Sequence, residues 1–221
     1  MRVKRSERSA QPKFRREPPE ARREELIRAT LSCLKKFGNA GASVRRISAE
    51  AGVSMGLINH HFGGIDGLLA AAYEALAGRL LARSSALALA TPEPRAGLHA
   101  FFAASFAPEA LDPTLFRTWL VFWSLVPHAR EMRAVRERSA RETRALIATL
   151  LERLQALPGV AVFRAEAAAI GLSALMDGLW VELSLNPASF AAAEAIAACD
   201  DWVQGLMAGS FPGLRTVRPG R

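Results

Sequence analysis

Two pairs of residues in the C-terminal half of the chain have types and spacing suited to holding a cationic ligand. Trp119 and Trp123 are four residues apart, and Asp177 and Trp180 are three apart, so each pair would share one helix face. A carboxylate attracts a quaternary ammonium by charge, and indole faces attract it through their quadrupoles. We therefore predict that these four residues bind a small ligand. The alternative is that the tryptophans fill a core while Asp177 bonds Arg117, a histidine or the backbone.

A second pattern, from Ser43 to Phe62, predicts two short helices around a tight turn. Apolar residues at helical spacing precede Gly52, whose left-handed conformation can end a helix. Ser54 can accept a backbone N–H and so start the next helix. A helix-turn-helix is built in this way, and its second helix is short enough to enter a DNA major groove.

The geometry of such a motif selects the side chains that would meet DNA. If Ser54 starts the second helix, then Met55, Gly56 and Asn59 lie on its exposed N-terminal face, and Asn59 can bond an adenine edge through both amide atoms. Residues just before and beside them would reach the phosphates or the groove. The full predicted DNA-binding set is Ser43, Arg45, Ser54, Met55, Gly56, Leu57, Asn59, His60 and His61. The alternative for Asn59 and His60 is an ordinary polar helix surface.

The positive charge of the chain is concentrated around this motif. Residues 1–67 contain 14 Lys and Arg against 7 Asp and Glu, whereas residues 68–221 contain 15 against 14. Nearly all of the formal net charge of +8 therefore lies in the first third of the chain. A basic module gains affinity for a duplex by displacing its condensed counterions. A solubilising surface would explain the excess but not its confinement.

Other function classes find little support in the sequence. The four histidines form no HExxH arrangement, and there is no CxxC, GxSxG or Gly-rich phosphate loop. We expect no metal site, no cofactor and no catalytic residue, so an all-α enzyme is a remote alternative. An architectural DNA-binding protein is a third class, but it would not need a large neutral second domain rich in tryptophan.

Composition predicts an all-α, cytoplasmic protein without a membrane span. Ala, Leu and Arg dominate, no run of alternating β-branched residues suggests a sheet, and no apolar stretch of about 18 residues is evident. Cys33 and Cys199 are isolated and would pack as small hydrophobes in a reducing compartment.

Apolar periodicity and prolines divide the chain into four parts. We predict a disordered basic arm at 1–19, a helix-turn-helix domain at 20–65, a helical ligand-binding and dimerisation domain at 66–211, and a flexible tail at 212–221. A long helix from about 66 to 89 would follow the motif. The helices after it are predicted at 94–107, 113–126, 128–157, 163–185 and 188–208.

These segments resemble a known family. The helix-turn-helix stretch SVRRISAEAGVSMGLINHHF is similar to the DNA-binding domain of the tetracycline-repressor (TetR) family. LFRTWLVFWSLVPHAREM and IGLSALMDGLWVELSL resemble the C-terminal domain of the choline-responsive repressors of glycine betaine synthesis. The resemblance implies a homodimeric repressor that leaves its operator when a small effector binds, choline being the candidate. It also implies that the last two long helices pair across the two-fold axis. A family member that responds to a neutral apolar ligand and controls unrelated genes, such as efflux genes, is the alternative.

Two positions depart from that family. Many relatives have Tyr before the Phe of the second helix and Lys shortly after it, and both reach phosphates; here these positions are His61 and Ile65. His61 can still donate a hydrogen bond to a phosphate, whereas Ile65 cannot. We expect the basic arm to supply the missing phosphate contacts.

Overall fold

The computed structural model describes residues 18–215, and within this range every regular element is helical. The all-α prediction is thereby confirmed. The predicted arm, apart from its last two residues, and the tail beyond Arg215 lie outside the described range. The α-helices are α1 (Pro19–Phe37), α2 (Val44–Glu50), α3 (Gly56–Phe62), α4 (Ile65–Ala90), α5 (Pro94–Ser105), α6 (Pro113–Leu125), α7 (Arg130–Gln155), α8 (Ala165–Leu185) and α9 (Ala192–Met207).

Helices α1 to α3 form a small bundle that closes on the start of α4. Its core, the N-terminal cluster, consists of Leu26, Ala29, Cys33, Ile47, Ala51, Ile58 and Leu68. Helix α1 ends at Gly38, and the turn after α2 places Gly52 at a φ of +65°, as the sequence predicts. Ile58 is fully buried, so one face of α3 is fixed against α1 and α2 while the opposite face stays in solvent.

The predicted start of the second motif helix is wrong by two residues. Helix α3 begins at Gly56, and the side chain of Ser54 makes no capping bond. Instead the Ser54 carbonyl accepts the Leu57 N–H at 3.1 Å, and the Met55 carbonyl accepts the Ile58 N–H at 3.2 Å. These three-residue bonds form a tighter turn that uses backbone acceptors and makes a side-chain cap unnecessary.

Gly67 allows α3 and α4 to pack closely. A Cβ atom at this position would lie 2.1 Å from the Phe62 carbonyl oxygen at the end of α3. Backbone atoms must therefore move if any side chain is introduced, and the contact fixes the end of α3 against the first turn of α4.

Gly67→Ala is expected to lower the free energy of unfolding by about 1–3 kcal/mol, the usual range for overpacking. Gly78→Ala is the matched control, because it lies in the same helix with open space around its Cβ position. The control should stabilise the protein by about 0.5–1 kcal/mol, since Ala is the better helix former. Urea denaturation measures both changes, and equal effects would contradict the packing role of Gly67.

The rest of the chain contains two further apolar clusters. The central cluster joins α1, α4, α6 and α7, and its largest members are Leu34, Tyr73, Trp119, Phe122 and Met132. The distal cluster joins α5, α7, α8 and α9 around Phe102, Ile147, Leu151, Leu172 and Cys199. Ile27 and Ile65 pack against both the N-terminal and the central cluster, and Trp180 packs against both the central and the distal cluster. The three cores are therefore continuous.

One helix boundary needs correction, and two local contacts were not predicted. Phe37, the last residue of α1, is 47% exposed, and the Arg46 guanidinium covers its ring at 4.6 Å. Helix α9 begins at Ala192 instead of 188. At the C-terminal end of the described range, residues Pro212–Leu214 form a 3₁₀ turn, and the Arg215 Nε donates to the Gly209 carbonyl at 2.8 Å.

The buried cysteines and the apolar helix α8 bear on two predictions made from composition. Cys33 and Cys199 are both buried free thiols, and burial raises the pKa of Cys199 to about 12. Within residues 18–215, Ala165–Leu185 is one helix long and apolar enough to cross a membrane by length and composition, with a mean hydropathy of 1.4. Glu166, Asp177 and Glu182 interrupt this helix, so the prediction that no continuous apolar stretch of about 18 residues occurs is not contradicted. A core helix of a soluble protein meets the same criteria, and α8 packs against α7 and α9.

Candidate DNA interface and effector cavity

The solvent face of α3 presents most of the predicted DNA-binding side chains. Met55 is 58% exposed, and Gly56, Asn59 and His60 are exposed beside it. Leu57 and His61 are half-buried, and Ser54 is exposed just before the helix begins. The face is thus a row of one apolar, one amide and one imidazole side chain, the types that read thymine methyls and base edges in a major groove.

Helix α2 offers the predicted contacts to the DNA backbone. Arg45 is exposed, and no ion pair engages it in the described part of the chain. The Ser43 Oγ accepts the Arg46 N–H at 3.3 Å and so caps α2. The hydroxyl hydrogen of Ser43 remains available to a phosphate, so the capping and DNA-binding roles are compatible.

Sequence reasoning missed the contacts that hold this face in place. The Arg23 guanidinium lies 4.3 Å from the centre of the Phe62 ring and donates a hydrogen bond to the His61 carbonyl, which fixes the end of α3 on α1. Lys36 Nζ and Ser32 Oγ both donate to Glu50 Oε1, at 2.6 and 2.7 Å, which fixes the end of α2 on α1. The hydrogen bond from Lys36 lowers the pKa of Glu50. No local pattern indicates such pairings, since each joins residues at least 14 positions apart.

Asn59→Ala should lower affinity for the specific operator by roughly 1–3 kcal/mol, because a bidentate amide–adenine contact would be lost. Binding to random duplex should change little, since phosphate contacts are unaffected. Asn39→Ala is the matched control, as Asn39 is also exposed but lies outside the predicted set. Fluorescence anisotropy on both DNAs makes the comparison, and equal losses on specific and random DNA would remove Asn59 from the base-reading set.

Ile65 has a structural role that explains its departure from the family pattern. Its side chain is half-buried and packs against both the N-terminal and the central cluster. At this position the chain therefore has an apolar contact between its two halves, where the family resemblance implies a lysine for phosphate.

The four predicted ligand-binding residues line one cavity. Trp119 and Trp123 approach it from α6, and Asp177 and Trp180 approach it from α8. The cavity has a volume of about 250 Å³ and is also bounded by α4, α5 and α7. Pockets for drug-sized ligands start at roughly 300 Å³, so this one fits a ligand of few heavy atoms.

The aromatic rings form a connected wall. Trp123 lies 6.1 Å from Trp180, in an edge-to-face arrangement, and 6.2 Å from Trp119 between ring centres. Tyr73 stands edge-to-face to Trp119 at 5.0 Å, and Phe116 supports Trp180 at 5.3 Å. The Trp180 N–H donates to the Ala110 carbonyl at 3.0 Å, which holds this indole in one orientation.

Asp177 has no direct protein partner in this cavity. No hydrogen bond or ion pair reaches its carboxylate from any residue between 18 and 215, so the predicted alternative of Arg117, a histidine or the backbone is not what the structure shows. The side chain keeps contact with solvent through the open cavity, yet the surrounding protein removes part of its hydration. This burial raises the pKa of Asp177, while Arg136 and Arg144 act in the opposite direction.

The cavity wall also contains polar residues that were not predicted, among them Tyr73, Arg136 and Arg144. Burial raises the pKa of Tyr73, which keeps its hydroxyl protonated. The two arginines lie in a densely charged stretch of α7 whose sequence is typical of a solvent-facing surface. They are eight residues apart and so share one helix face, and only this spacing distinguishes them from the other arginines of that stretch.

Comparisons with known proteins agree with this arrangement. A family model for bacterial regulatory proteins of the tetR family matches residues 26–72, and one for the C-terminal region of BetI-type transcriptional repressors matches residues 94–208. The HTH-type transcriptional regulator BetI of Burkholderia thailandensis is 35% identical over 191 residues, which cover 86% of this chain and 95% of the relative.

Solved structures share the fold. A transcriptional regulator from Pseudomonas aeruginosa PAO1 superposes with a TM-score of 0.81 at 48% identity, covering 90% of this chain and 97% of the other. A regulator from Saccharomonospora viridis, solved in complex with choline, superposes with a TM-score of 0.69 at 19% identity, covering 84% and 96% of the two chains. At that identity the second comparison shows similarity of fold alone.

Proposed function

The chain belongs to the TetR family of bacterial transcriptional regulators and has a BetI-type C-terminal region, and we propose that it is a repressor released from its operator by a quaternary ammonium such as choline. It is a DNA-binding regulator and not an enzyme. The observation that carries the effector proposal is the unpaired Asp177 carboxylate in a cavity walled by three tryptophans. Glycine betaine synthesis, or related metabolism of quaternary amines, is the proposed regulated function.

The proposed assembly is a homodimer on a near-palindromic site. Helix α8 leaves Ile170 and Leu185 exposed, at 59% and 63%, on a face away from its packed neighbours. A second subunit would cover this apolar face and place two α3 helices in successive major grooves, roughly 34 Å apart. Sedimentation equilibrium measures the oligomeric state. We also propose residues 20–65 as the DNA-binding domain and residues 66–211 as the effector-binding and dimerisation domain.

A route for coupling the two ends is supported by the central cluster. Trp119 belongs to this cluster together with Leu31 and Leu34 of α1, and α6 also packs on the 3₁₀ turn at Gly38–Gly41. A ligand against Trp119 and Trp123 would therefore act on the same packed residues that position α1. Release requires that the ligand bind one arrangement of these helices more tightly than the other.

A titration with choline and its neutral isostere tests the proposal. In 3,3-dimethylbutan-1-ol a carbon replaces the quaternary nitrogen, so shape is kept and charge is lost. Choline should give heat in calorimetry and should release operator DNA selected from random duplexes, whereas the isostere should do neither at the same concentration. Equal binding of the isostere would favour the second candidate, a neutral apolar effector, which the largely apolar wall of Leu80, Phe101 and Ile147 could also accommodate. No heat and no release at millimolar choline would overturn the choline assignment.

A further inference from the structure

The charges that line the cavity exceed what a simple cation requires. Its wall includes three arginines, Arg83, Arg136 and Arg144, against the single carboxylate of Asp177. Arg83 is paired outside the cavity wall, since its guanidinium lies 3.2 Å from Glu109. Arg136 and Arg144 have no ion pair or hydrogen bond to any other described residue. Apart from Arg83, the charged groups of the cavity wall are therefore two guanidinium groups and one carboxylate, none of which has a hydrogen-bond or ion-pair partner among the described residues.

The two arginines come from a different helix than the tryptophans. Both project from α7, eight residues and about 12 Å apart along its axis, with Ser139 and Thr143 between them on the same face. Asp177 and the tryptophans line the cavity from α6 and α8. One helix therefore supplies both unpaired guanidinium groups, and two other helices supply the indoles and the carboxylate.

This excess of positive charge disfavours choline alone as the best ligand. A monovalent cation would raise the charge in the cavity from +1 to +2, and a half-buried guanidinium repels it more strongly than it would in water. A ligand with an anionic group at its other end avoids this cost. Guanidinium groups also match carboxylate and phosphate oxygens through paired N–H donors.

We propose that the effector is a quaternary ammonium that also has a carboxylate or phosphate group, with the tryptophans and Asp177 on its cation and Arg136 and Arg144 on its anion. The inference depends on the proposed quaternary-ammonium function and specifies its ligand class. It makes the two arginines specificity-determining residues for the effector.

Calorimetry on the full-length protein with a set of probes tests the proposal. The probes are choline, glycine betaine, 4-(trimethylammonio)butanoate and phosphocholine, which vary the anionic group and its distance from the cation. At least one zwitterionic or phosphate probe should bind about tenfold or more tightly than choline, because charge-assisted hydrogen bonds to arginine are added. Which of these probes binds best distinguishes a carboxylate from a phosphate ligand. 3,3-Dimethylbutanoate, which has the anion but no cation, should bind weakly.

Substitutions at the two arginines should change the affinities for the anionic probes and for choline in different ways. Arg136→Gln and Arg144→Gln should each weaken the best anionic probe by about tenfold while leaving choline unchanged or bound more tightly, because a like charge is removed. Arg136→Lys and Arg144→Lys keep the charge and should retain part of the preference, which separates recognition from loss of folding. Arg141→Gln is the matched control, since Arg141 is exposed on the same helix and does not line the cavity.

The outcomes separate this inference from the proposed function. Choline binding at least as tightly as every anionic probe, with no effect of the Gln variants on those probes, would overturn the inference and leave the choline proposal standing. Equal binding of 3,3-dimethylbutanoate would replace the zwitterion with a simple anion. Failure of all quaternary ammonium probes to bind would overturn the proposed effector class, and the inference with it.

Discussion

Removal of residues 1–17 should flatten the salt dependence of operator binding. The segment contains 7 Lys and Arg and 2 Glu, so each subunit loses a net charge of +5. If two arm cations per subunit contact phosphates, a dimer loses four contacts, and the slope of log K against log salt falls by about 3.6. Between 50 and 200 mM salt the intact protein would then lose about a hundredfold more affinity than the truncated one.

The structure strengthens the reason for expecting this effect. Ile65 stands where the family resemblance implies a phosphate-binding lysine, and it packs between two clusters, so its side chain cannot supply that contact. A full-length variant with all seven arm cations replaced by Gln is the matched control, and it should reproduce the deletion. Anisotropy titrations at several salt concentrations give the slopes. An unchanged slope in both variants would show that the arm does not contribute to DNA binding.

Helix positions followed closely from local chemistry in this chain. Pro94 and Pro113 stand in the first turns of α5 and α6. The backbone N–H groups of a first turn have no acceptor within the helix, so proline costs no hydrogen bond there and marks where each helix begins. The start of α3 was misplaced because Ser54 had a backbone alternative to side-chain capping. The contact at Phe37 could not be predicted because the Arg46 guanidinium that covers its ring comes from another helix.

The site was predictable in part, for a physical reason. Asp177 and the tryptophans stand out because an acid among apolar residues and an excess of indoles are both uncommon in a plain helix core. Arg136 and Arg144 do not stand out, because an arginine on a charged helix has the same local signal whether it faces solvent or a cavity. Their place in the cavity wall depends on how α7 packs against α8 in the tertiary structure, which no local sequence pattern shows. The contact of Arg23 with Phe62 was hidden for the same reason.

The Asp177→Asn variant should bind a quaternary ammonium such as choline about 10- to 100-fold more weakly. The substitution keeps the size of the side chain and removes its charge, and at about 5 Å in a medium of effective dielectric constant near 20 that charge contributes up to about 3 kcal/mol. Operator binding without ligand should persist, because Asp177 lies far along the chain from α2 and α3. Trp180→Phe should weaken binding less, since a ring of weaker quadrupole remains, although the bond to the Ala110 carbonyl is lost.

The pH dependence of binding gives this prediction a second, independent test. Burial raises the pKa of Asp177, and only its ionised form attracts the ammonium, so affinity for choline should fall as the pH falls toward that raised pKa. Burial raises the pKa of Tyr73, so its hydroxyl stays protonated as the pH falls, and the wall contains no histidine. Asp177→Asn should therefore bind weakly with a flat pH profile. If Asp177→Asn binds choline with the affinity and the pH profile of the wild-type protein, the tryptophans hold the ligand without the carboxylate.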